Sequence, residues 1–505
     1  MRKIAERDAR DEGGDSGPST LTRARRFGKS WYVIFPATPS RASQRGLAGN
    51  GRPRFADLRE RRPGQQPARK SALLSGQEGR LRRPAVAFLA TTKIAAPRDG
   101  TFSGGLLGSP CPGAIRRVEV TAMDFRFSEE LRLVRDLARE FTDQRIRPIS
   151  AQIEQEHRVP RSLMDELAAT GLFGVAIPEE YGGAGLGELG LCVVMEEITR
   201  GDFSVAVTYG AHASIGAVSL QIGGSEEQRM RWLPDFAQGR VLGAYALSEA
   251  NAGSDPGAMA TTAVRDGTDW VLNGEKVWIT NGDMADLVTV YAVTDREKRA
   301  HGGITAFLVP SNSPGFRVGK REEKMGQRGS STVALAFEDV RLGDELRLGA
   351  VGDGFRIAMS TLERGRLTLG ANCLGCAREA HALSVAYANQ REVFGKPLAR
   401  QQAIQWMLAD NATELFAMES MVYRTAFECD RGKAFGRESA MVKLYCSEAL
   451  GRIVDRAVQI HGGMGYSAEF VIEKLYRDAR VTRIYEGTSE IQRIVIARDV
   501  IQRGA

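Results

Sequence analysis

Near the end of the chain lies the stretch Arg477-Asp478-Ala479-Arg480-Val481-Thr482-Arg483-Ile484-Tyr485-Glu486-Gly487-Thr488-Ser489-Glu490-Ile491-Gln492-Arg493. Ser489 and Gln492 have the spacing of a capping box, which predicts that a helix starts here. Glu486 stands on the turn before that helix, between Tyr485 and Gly487. A carboxylate beside an aromatic ring and a helix N-terminus is a candidate general base, although most glutamates on turns are simply solvated. The rest of the chain decides between these two interpretations.

Length and composition describe a multidomain globular chain. The 505 residues are 43% hydrophobic and 26% charged, which is enough to build two or three cooperating domains. No apolar run was found that approaches the roughly 18 residues that span a bilayer, so the sequence predicts no integral membrane segment. The single Cys373-x-x-Cys376 pair falls in a helical pattern without a second such pair, which predicts structural cysteines and no metal site.

Residues 1–122 differ in composition from the rest of the chain. They contain 24 basic and 10 acidic residues, a net charge of +14, whereas the remainder carries −7. The overall charge of +7 therefore gives no reason to expect nucleic-acid binding. Three interpretations compete: a transit peptide, a secretory signal, and an over-extended gene start with Met123 as the natural first residue. The acidic residues and the lack of an apolar core favour the third, and the segment is predicted to be disordered or spurious.

Beyond Met123 the period of the hydrophobic pattern changes twice. Helical spacing over residues 123–240 predicts an N-terminal α-helical domain, with Gly185-x-Gly187-x-x-Gly190 as a loop that enters a helix. Alternating spacing over residues 241–352 predicts a middle β-barrel or sandwich, with hairpin turns at Asp266-Gly267, Asn273-Gly274 and Asn281-Gly282. Long amphipathic patterns over residues 353–505 predict a four-helix bundle. The fold class is thus α+β multidomain.

Two motifs resemble those of the acyl-CoA dehydrogenase family. The first is Ala246-Leu247-Ser248-Glu249-Ala250-Asn251-Ala252-Gly253-Ser254-Asp255, and the second runs from Gln459-x-x-Gly462-Gly463-x-Gly465-Tyr466 to Glu469, Lys474 and Asp478. The resemblance covers the chain from about Met123 to Arg503. Within the family the chain is most similar to short-chain, butyryl-type members, through the segments Met325 to Thr332 and Tyr485 to Arg493.

The resemblance implies an FAD site between the middle domain and the bundle. The isoalloxazine and phosphate end is expected to contact Tyr245, Leu247, Ser248, Gly253, Ser254, Trp278, Thr280, Thr488 and Glu490. In this family a neighbouring subunit often holds the adenine end. The positions that match are Arg391, Phe394, Gln402, Gln459, Gly462 and Gly463. A homotetramer is therefore expected.

The resemblance also implies the substrate and the reaction. An acyl-CoA is expected to lose its α-proton to Glu486 and its β-hydride to flavin N5, and the electrons then pass to an electron-transfer flavoprotein. Some family members carry the base at the position of Gly365 instead, and its absence there favours Glu486. The positions expected to contact the acyl-CoA are Ser254, Phe355, Glu363, Arg366, Tyr485, Gly487 and Arg498.

Two other functions stay open at this point. One is a flavin oxidase or monooxygenase on the same fold, and the other is a non-catalytic CoA-binding paralogue. The cytoplasm of a bacterial-type cell is the expected location, or the mitochondrial matrix if residues 1–122 are a genuine transit peptide. Acyl chain length depends on a cavity that the sequence does not describe.

Overall fold

A computed structural model describes residues 126–503 of the chain. The predicted extension over residues 1–122 lies outside the described residues. Those residues run as helices, then strands, then helices again. The predicted order of an α-helical, a β and a second α-helical part is therefore confirmed.

Seven helices form the first part. Ser128 accepts a hydrogen bond from Leu131 N at 3.3 Å and so caps the first of them, and Ser225 with Gln228 forms a complete capping box on the last. The helices are α1 (Glu129–Phe141), α2 (Ser150–Glu156), α3 (Arg161–Ala169), α4 (Gly187–Gly201), α5 (Phe203–Gly210), α6 (Ala217–Gly223) and α7 (Glu226–Ala237).

One helical run in this part is longer and more apolar than the sequence predicted. Helices α5 and α6 are joined through a π-helical segment, Ala211–Gly216, into a run of 21 residues over Phe203–Gly223. Its length and composition would suffice to cross a membrane, but 89% of the apolar window is buried inside the protein. It packs against α8, described below, as a core helix does.

The middle part is a single eight-stranded sheet. Its order is β6-β7-β3-β2-β4-β5-β8, and β1 pairs in parallel with β4. Trp270 of β3 and Phe307 of β5 lie three strands apart in this order, about 14 Å in a flat sheet, yet their rings are 5.4 Å apart. The sheet therefore curls over its own core. The strands are β1 (Gly243–Ala246), β2 (Thr262–Asp266), β3 (Asp269–Thr280), β4 (Leu287–Val293), β5 (Ile304–Pro310), β6 (Phe316–Arg321), β7 (Thr332–Gly343) and β8 (Arg347–Leu348).

The three predicted hairpin turns have different outcomes. Asp266-Gly267 does join the antiparallel strands β2 and β3. Asn273-Gly274 is wrong as a turn, because β3 runs through it with a register shift against β7, and Gly274 at φ 144° approaches Thr261 closely. Asn281-Gly282 follows β3, but the next strand, β4, is not paired with β3, so it joins no hairpin.

Five helices form the last part. The longest, α8, packs on α10, on α4 and on α9, so its middle lies in the largest apolar core, where Cys373 and Cys376 are buried. The elements are α8 (Gly354–Gln390), a short hairpin of β9 (Glu392–Val393) and β10 (Lys396–Pro397), α9 (Gln402–Asp430), α10 (Gly436–His461), α11 (Val471–Arg480) and α12 (Ser489–Arg503). The hydrophobic pattern did not predict α11, because this helix of ten residues is shorter than the periodic runs around it.

Candidate functional site

The turn that carries Glu486 connects α11 to α12 and has an unusual backbone. Glu486 has φ 55° and Gly487 has φ 88°, so a residue with a side chain sits in the left-handed region that glycine usually occupies. The cost of such a conformation must be met by surrounding contacts. Observed strain of this kind is common at functional sites.

Three side chains hold this turn through its two carbonyl groups. Gln492 Nε2 donates to the carbonyl of Glu486 at 3.1 Å and to that of Gly487 at 2.9 Å. Lys443 Nζ donates to the carbonyl of Gly487 at 2.7 Å, and Arg366 Nε donates to that of Glu486 at 3.4 Å. The backbone is thus bonded from α8, α10 and α12, while the side chain of Glu486 remains separate from these bonds.

The carboxylate of Glu486 is poised to exchange a proton. Its Oε2 atom is buried and has no hydrogen-bond partner among the described residues. Burial raises the pKa of Glu486 to about 7, against the opposing pull of the positive charges of Lys443 and Arg366. A group whose pKa lies near neutral pH can act as a base and then as an acid at that pH.

Space for the carboxylate comes from a missing side chain on α8. A Cβ atom at Gly365 would lie 2.8 Å from Glu486 Oε2 and 2.9 Å from Ile215 Cγ2. The predicted base, the glycine position and the π-helical segment of the long apolar run therefore meet at one point.

The start of α12 differs from the predicted capping box by one residue. The helix does begin at Ser489, but the capping oxygen is Thr488 Oγ1, which accepts from Ile491 N at 3.4 Å. Ser489 Oγ instead donates to Glu448 at 2.8 Å, and Gln492 reaches back to the turn carbonyls. The residue types were informative, but which of two adjacent hydroxyls caps the helix depends on tertiary contacts.

The loop between β6 and β7 is hydrogen-bonded to this turn. Gln327 Nε2 donates to Tyr485 Oη at 3.2 Å and to the carbonyl of Asp478 at 3.0 Å. The carboxylate of Asp478 is fully buried and pairs with Lys474 at 2.7 Å, which also lies 3.1 Å from Asp202. The two segments that carry the likeness to short-chain enzymes are therefore joined in space.

The first motif directly follows Tyr245, whose phenol interacts electrostatically with Glu486. Tyr245 is buried on β1, donates to the carbonyl of Ala358 at 3.2 Å, and its ring lies 5.1 Å from that of Tyr291. Leu247, the first residue after β1, is also buried, and Lys276 Nζ donates to its carbonyl at 3.1 Å. Beyond Ser248 the loop reaches the surface, and Gly253 and Ser254 are exposed with no neighbour within 4 Å of a Cβ at Gly253.

The end of β3 offers a polar and aromatic surface suited to a flat ring system. Trp278 has φ 63° and is 62% exposed as a residue, so it is not the core aromatic that a strand position would suggest. Thr280 pairs in register with Thr332. Next to them Ser331 is buried, and its hydroxyl has no partner among the described residues. An exposed indole and an unpaired hydroxyl fit the stacking and hydrogen bonding that a flavin requires.

The residues expected at the adenine end lie elsewhere. Arg391 and Phe394 follow the C-terminal end of α8, and Phe394 has φ 52° and is 95% exposed as a residue. Gln402, at the start of α9, is exposed too, as are Gln459, Gly462 and Gly463 at the end of α10. From Gly365 to Gln390 the helix alone spans about 38 Å, so one chain does not bring this group to the Glu486 turn.

The expected acyl-CoA contacts are divided in the same way. Arg366 is buried at the turn. Glu363 lies one helical turn before it, and burial raises its pKa. Phe355 packs against the apolar cluster at the start of α8. Arg498 is exposed on α12, as is Glu490, which was expected to contact FAD. Tyr485 and Gly487 are at the turn itself, next to Thr488, another expected FAD contact.

No cluster of three potential metal ligands occurs in residues 126–503. The arrangement can therefore be described from its organic groups: a desolvated carboxylate with a free oxygen, two flanking cations, and an aromatic surface at the sheet edge. Lys443, Ser331 and Gln327 were not recognised from the sequence as site residues. Lys443 and Ser331 are 112 residues apart, and no local pattern around either distinguishes it from an ordinary helix or loop residue.

Comparisons with known proteins identify the family to which the chain is similar. Residues 128–240, 244–340 and 352–501 match the family models for the N-terminal, middle and C-terminal domains of acyl-CoA dehydrogenase. The chain is 43% identical over 399 residues to the mitochondrial short-chain specific acyl-CoA dehydrogenase of Bos taurus, covering 79% of this chain and 97% of that protein.

Two solved structures are similar along the same part of the chain. Butyryl-CoA dehydrogenase from Megasphaera elsdenii superimposes with a TM-score of 0.74 at 38% identity, over 75% of this chain and all of that one. A chain from work on the electron transferring flavoprotein of Acidaminococcus fermentans and flavin-based electron bifurcation gives 0.74 at 39% identity, with the same coverage.

Proposed function

The chain belongs to the acyl-CoA dehydrogenase family of oxidoreductases, and from that premise we propose that it is an FAD-dependent enzyme that converts a saturated acyl-CoA to the trans-2-enoyl-CoA. A short acyl chain is the substrate that the similarity to short-chain and butyryl-CoA dehydrogenases supports. The electrons leave to an electron-transfer flavoprotein.

The observation that carries the proposal is the state of Glu486. Its Oε2 atom is buried and unbonded, and its pKa is raised to about 7 by burial. Removing a weakly acidic proton next to a thioester requires a carboxylate that is unsolvated and not engaged in an ion pair. A solvated turn glutamate would show neither feature.

The roles of the other residues follow from their positions. Bound FAD supplies the acceptor for the β-hydride. Trp278 and Thr280 would hold its ring at the end of β3, with the Ser331 hydroxyl as a further hydrogen-bonding group. Glu486 takes the α-proton on Oε2, while the bonds from Gln492 to the turn carbonyls keep that oxygen in place. Binding of the acyl chain between β1, α8 and the turn expels water and so strengthens the electrostatic interactions.

The adenine end requires a second subunit. The exposed group at Arg391, Phe394 and Gln402 lies about 38 Å along α8 from the base, which is longer than one extended FAD molecule. A homotetramer arranged as a dimer of dimers would let each such group serve the site of a neighbour, because closed symmetry uses the same patch in every subunit.

Anaerobic addition of butyryl-CoA to the purified holoprotein tests the proposal. The flavin absorbance is expected to bleach, and electron-transfer flavoprotein is expected to restore it without oxygen uptake. Bleaching followed by rapid oxygen consumption would indicate an oxidase or monooxygenase instead. Binding of the acyl-CoA without any bleaching would indicate a non-catalytic paralogue.

A further inference from the structure

Three lysines are buried in residues 126–503, and one of them differs from the other two. Lys276 lies 2.8 Å from Glu249, and Lys474 lies 2.7 Å from Asp478 and 3.1 Å from Asp202. Lys443, fully buried on α10, has no carboxylate within 4.0 Å among the described residues. Burying an ammonium without an ion pair is costly, and such a group is usually retained for another reason.

Within residues 126–503, the one hydrogen bond of Lys443 is with the turn that carries the base. Its Nζ atom donates to the carbonyl of Gly487 at 2.7 Å, one residue after Glu486. Burial lowers the pKa of Lys443 to about 8, so the amine is still protonated at neutral pH. The carboxylate charges that act on it are those of Glu486, of Glu448 on its own helix and, across from it on α12, of the exposed Glu490. Glu448 is already engaged with Ser489 Oγ at 2.8 Å and with Arg483 at 3.4 Å.

The other groups around Glu486 do not replace this charge. On α8, Arg366 is the second cation, bonded to the carbonyl of Glu486 at 3.4 Å, and the thiol of Cys373 has its pKa raised by burial. On β1 and on the turn itself, burial raises the pKa of Tyr245 and of Tyr485, so both phenols are neutral. Among the groups that lower the pKa of Glu486, the charge of Lys443 acts more strongly than that of Arg366.

We propose that Lys443 is a positioning residue that acts through Glu486: its ammonium bonds the turn carbonyl, and its positive charge keeps the carboxylate ionised without occupying a carboxylate oxygen. A direct ion pair would lower the proton affinity of the base by about 1–3 pH units and cover the oxygen that must receive the proton. Because the ammonium of Lys443 bonds the Gly487 carbonyl instead, its charge acts on Glu486 while the carboxylate oxygen stays free to receive the proton. The link to catalysis depends on the proposed function, whereas the electrostatic effect on Glu486 does not.

The test uses two readouts on the purified full-length holoprotein. Infrared difference spectra against pH follow the carboxyl C=O band of Glu486, assigned by its loss in Glu486→Gln, and report the protonation midpoint without any turnover. The pH dependence of anaerobic flavin reduction by butyryl-CoA reports the same group in the reaction. Lys443→Gln keeps a donor for the Gly487 carbonyl but removes the charge, and Lys443→Arg keeps the charge.

In Lys443→Gln the midpoint is expected to rise by about one pH unit or more, and the rate at pH 6.5 to fall more than the rate at pH 8.5. Lys443→Arg is expected to stay close to wild type. The matched control is Lys433→Gln, which removes the same charge from an exposed site ten residues earlier. FAD content and the thermal unfolding midpoint check folding, and Lys443→Met takes the place of the Gln variant if that variant does not fold.

An unchanged infrared midpoint in Lys443→Gln overturns the proposal. It is overturned as well if Lys443→Arg shifts the midpoint as far as Lys443→Gln, because geometry and not charge would then be responsible. If the wild-type flavin does not bleach with any acyl-CoA, the proposed function fails. The infrared midpoints still decide the role of Lys443 in that case.

Discussion

The two ends of the candidate cofactor site are built in opposite ways. At one end the Glu486 turn is bonded by Gln492, Lys443 and Arg366, each from a different helix of the same chain. At the other end Arg391 is exposed, and residue Phe394 is 95% exposed. One chain completes the end that we propose transfers the proton, while the end that we propose binds adenine presents exposed residues.

This difference separates two kinds of evidence. Where the chain satisfies its own groups, the anomalies that remain, such as the unbonded Glu486 Oε2, point to chemistry. Where groups are exposed, only a partner or ligand gives them a role. Perturbing each end should therefore produce a different failure: loss of the reaction at one end and loss of the cofactor at the other.

The largest effect is expected from Glu486→Gln. A positioned base typically contributes roughly 10²–10⁴-fold, so flavin reduction by acyl-CoA should fall by at least 100-fold while binding of acyl-CoA and FAD is retained. Stopped-flow reduction and a binding titration measure the two quantities. Residual reduction within about tenfold of wild type would contradict the assignment of the base.

A smaller effect is expected from Gly365→Ala. The added methyl group would lie 2.8 Å from Glu486 Oε2, so the carboxylate must move and the rate of flavin reduction should fall roughly 10- to 100-fold. Gly451→Ala is the matched control on α10, where the added Cβ makes only ordinary contacts of 3.7 Å or more with Arg483. Equal rates in the two variants would show that the space at Gly365 is not needed.

At the exposed end of the candidate site, Arg391→Glu should weaken FAD retention by about tenfold and leave the Glu486 turn unaffected. A carboxylate placed near the pyrophosphate replaces an attraction with a repulsion, and tenfold corresponds to about 1.4 kcal/mol. Gel filtration with the flavin absorbance measures retention, and Arg431→Glu, an exposed site at the far end of α9, is the control. A monomer that kept one FAD per chain through the column would show that no partner is needed.

An effect of similar size is expected on stability. The pKa of Glu486 is raised from 4.5 to about 7, so above pH 4.5 the unfolded chain ionises before the folded one, and this group destabilises the fold as the pH rises to 7. Glu486→Gln removes that cost. Although its Oε2 atom is buried, Glu486 as a residue is partly accessible to solvent, which screens part of this cost. The stability of Glu486→Gln relative to wild type should therefore be greater at pH 8 than at pH 4 by about 1–2 kcal/mol, measured by urea unfolding. An equal difference at both pH values would place the carboxyl in ordinary solvent.

The sequence predicted the architecture well because each domain has its own hydrophobic period. The prediction was wrong where tertiary pairing outweighs local turn preference. At Asn273-Gly274 the residue types favour a turn, but β3 continues because it pairs with β7 on both sides. The prediction also missed the apolar run over Phe203–Gly223, because the small and polar residues within it obscure its length.

The candidate site was predictable only where its residues are close in sequence. Glu486, Gly487 and Gln492 fall within seven positions, and their types suggested a turn before a helix. Lys443 precedes the turn by more than forty residues on another helix, and its burial without an ion pair is a tertiary property. The roles of the flavin and CoA residues stay predictions, including that of Trp278, whose exposure agrees with but does not test its assignment.

The length of α8 has a genetic consequence. We expect the N-terminal part of α8 to serve the base of its own subunit and its C-terminal end to serve the cofactor of a neighbour. A defect at Glu486 and a defect at Arg391 would then complement each other in a mixed oligomer. Reassembling Glu486→Gln subunits with Arg391→Glu subunits would create sites with an intact base from one parent and an intact Arg391 from the other. Activity above that of either parent alone is expected after co-expression with two affinity tags, whereas sites built from one chain would yield only the average of the parents.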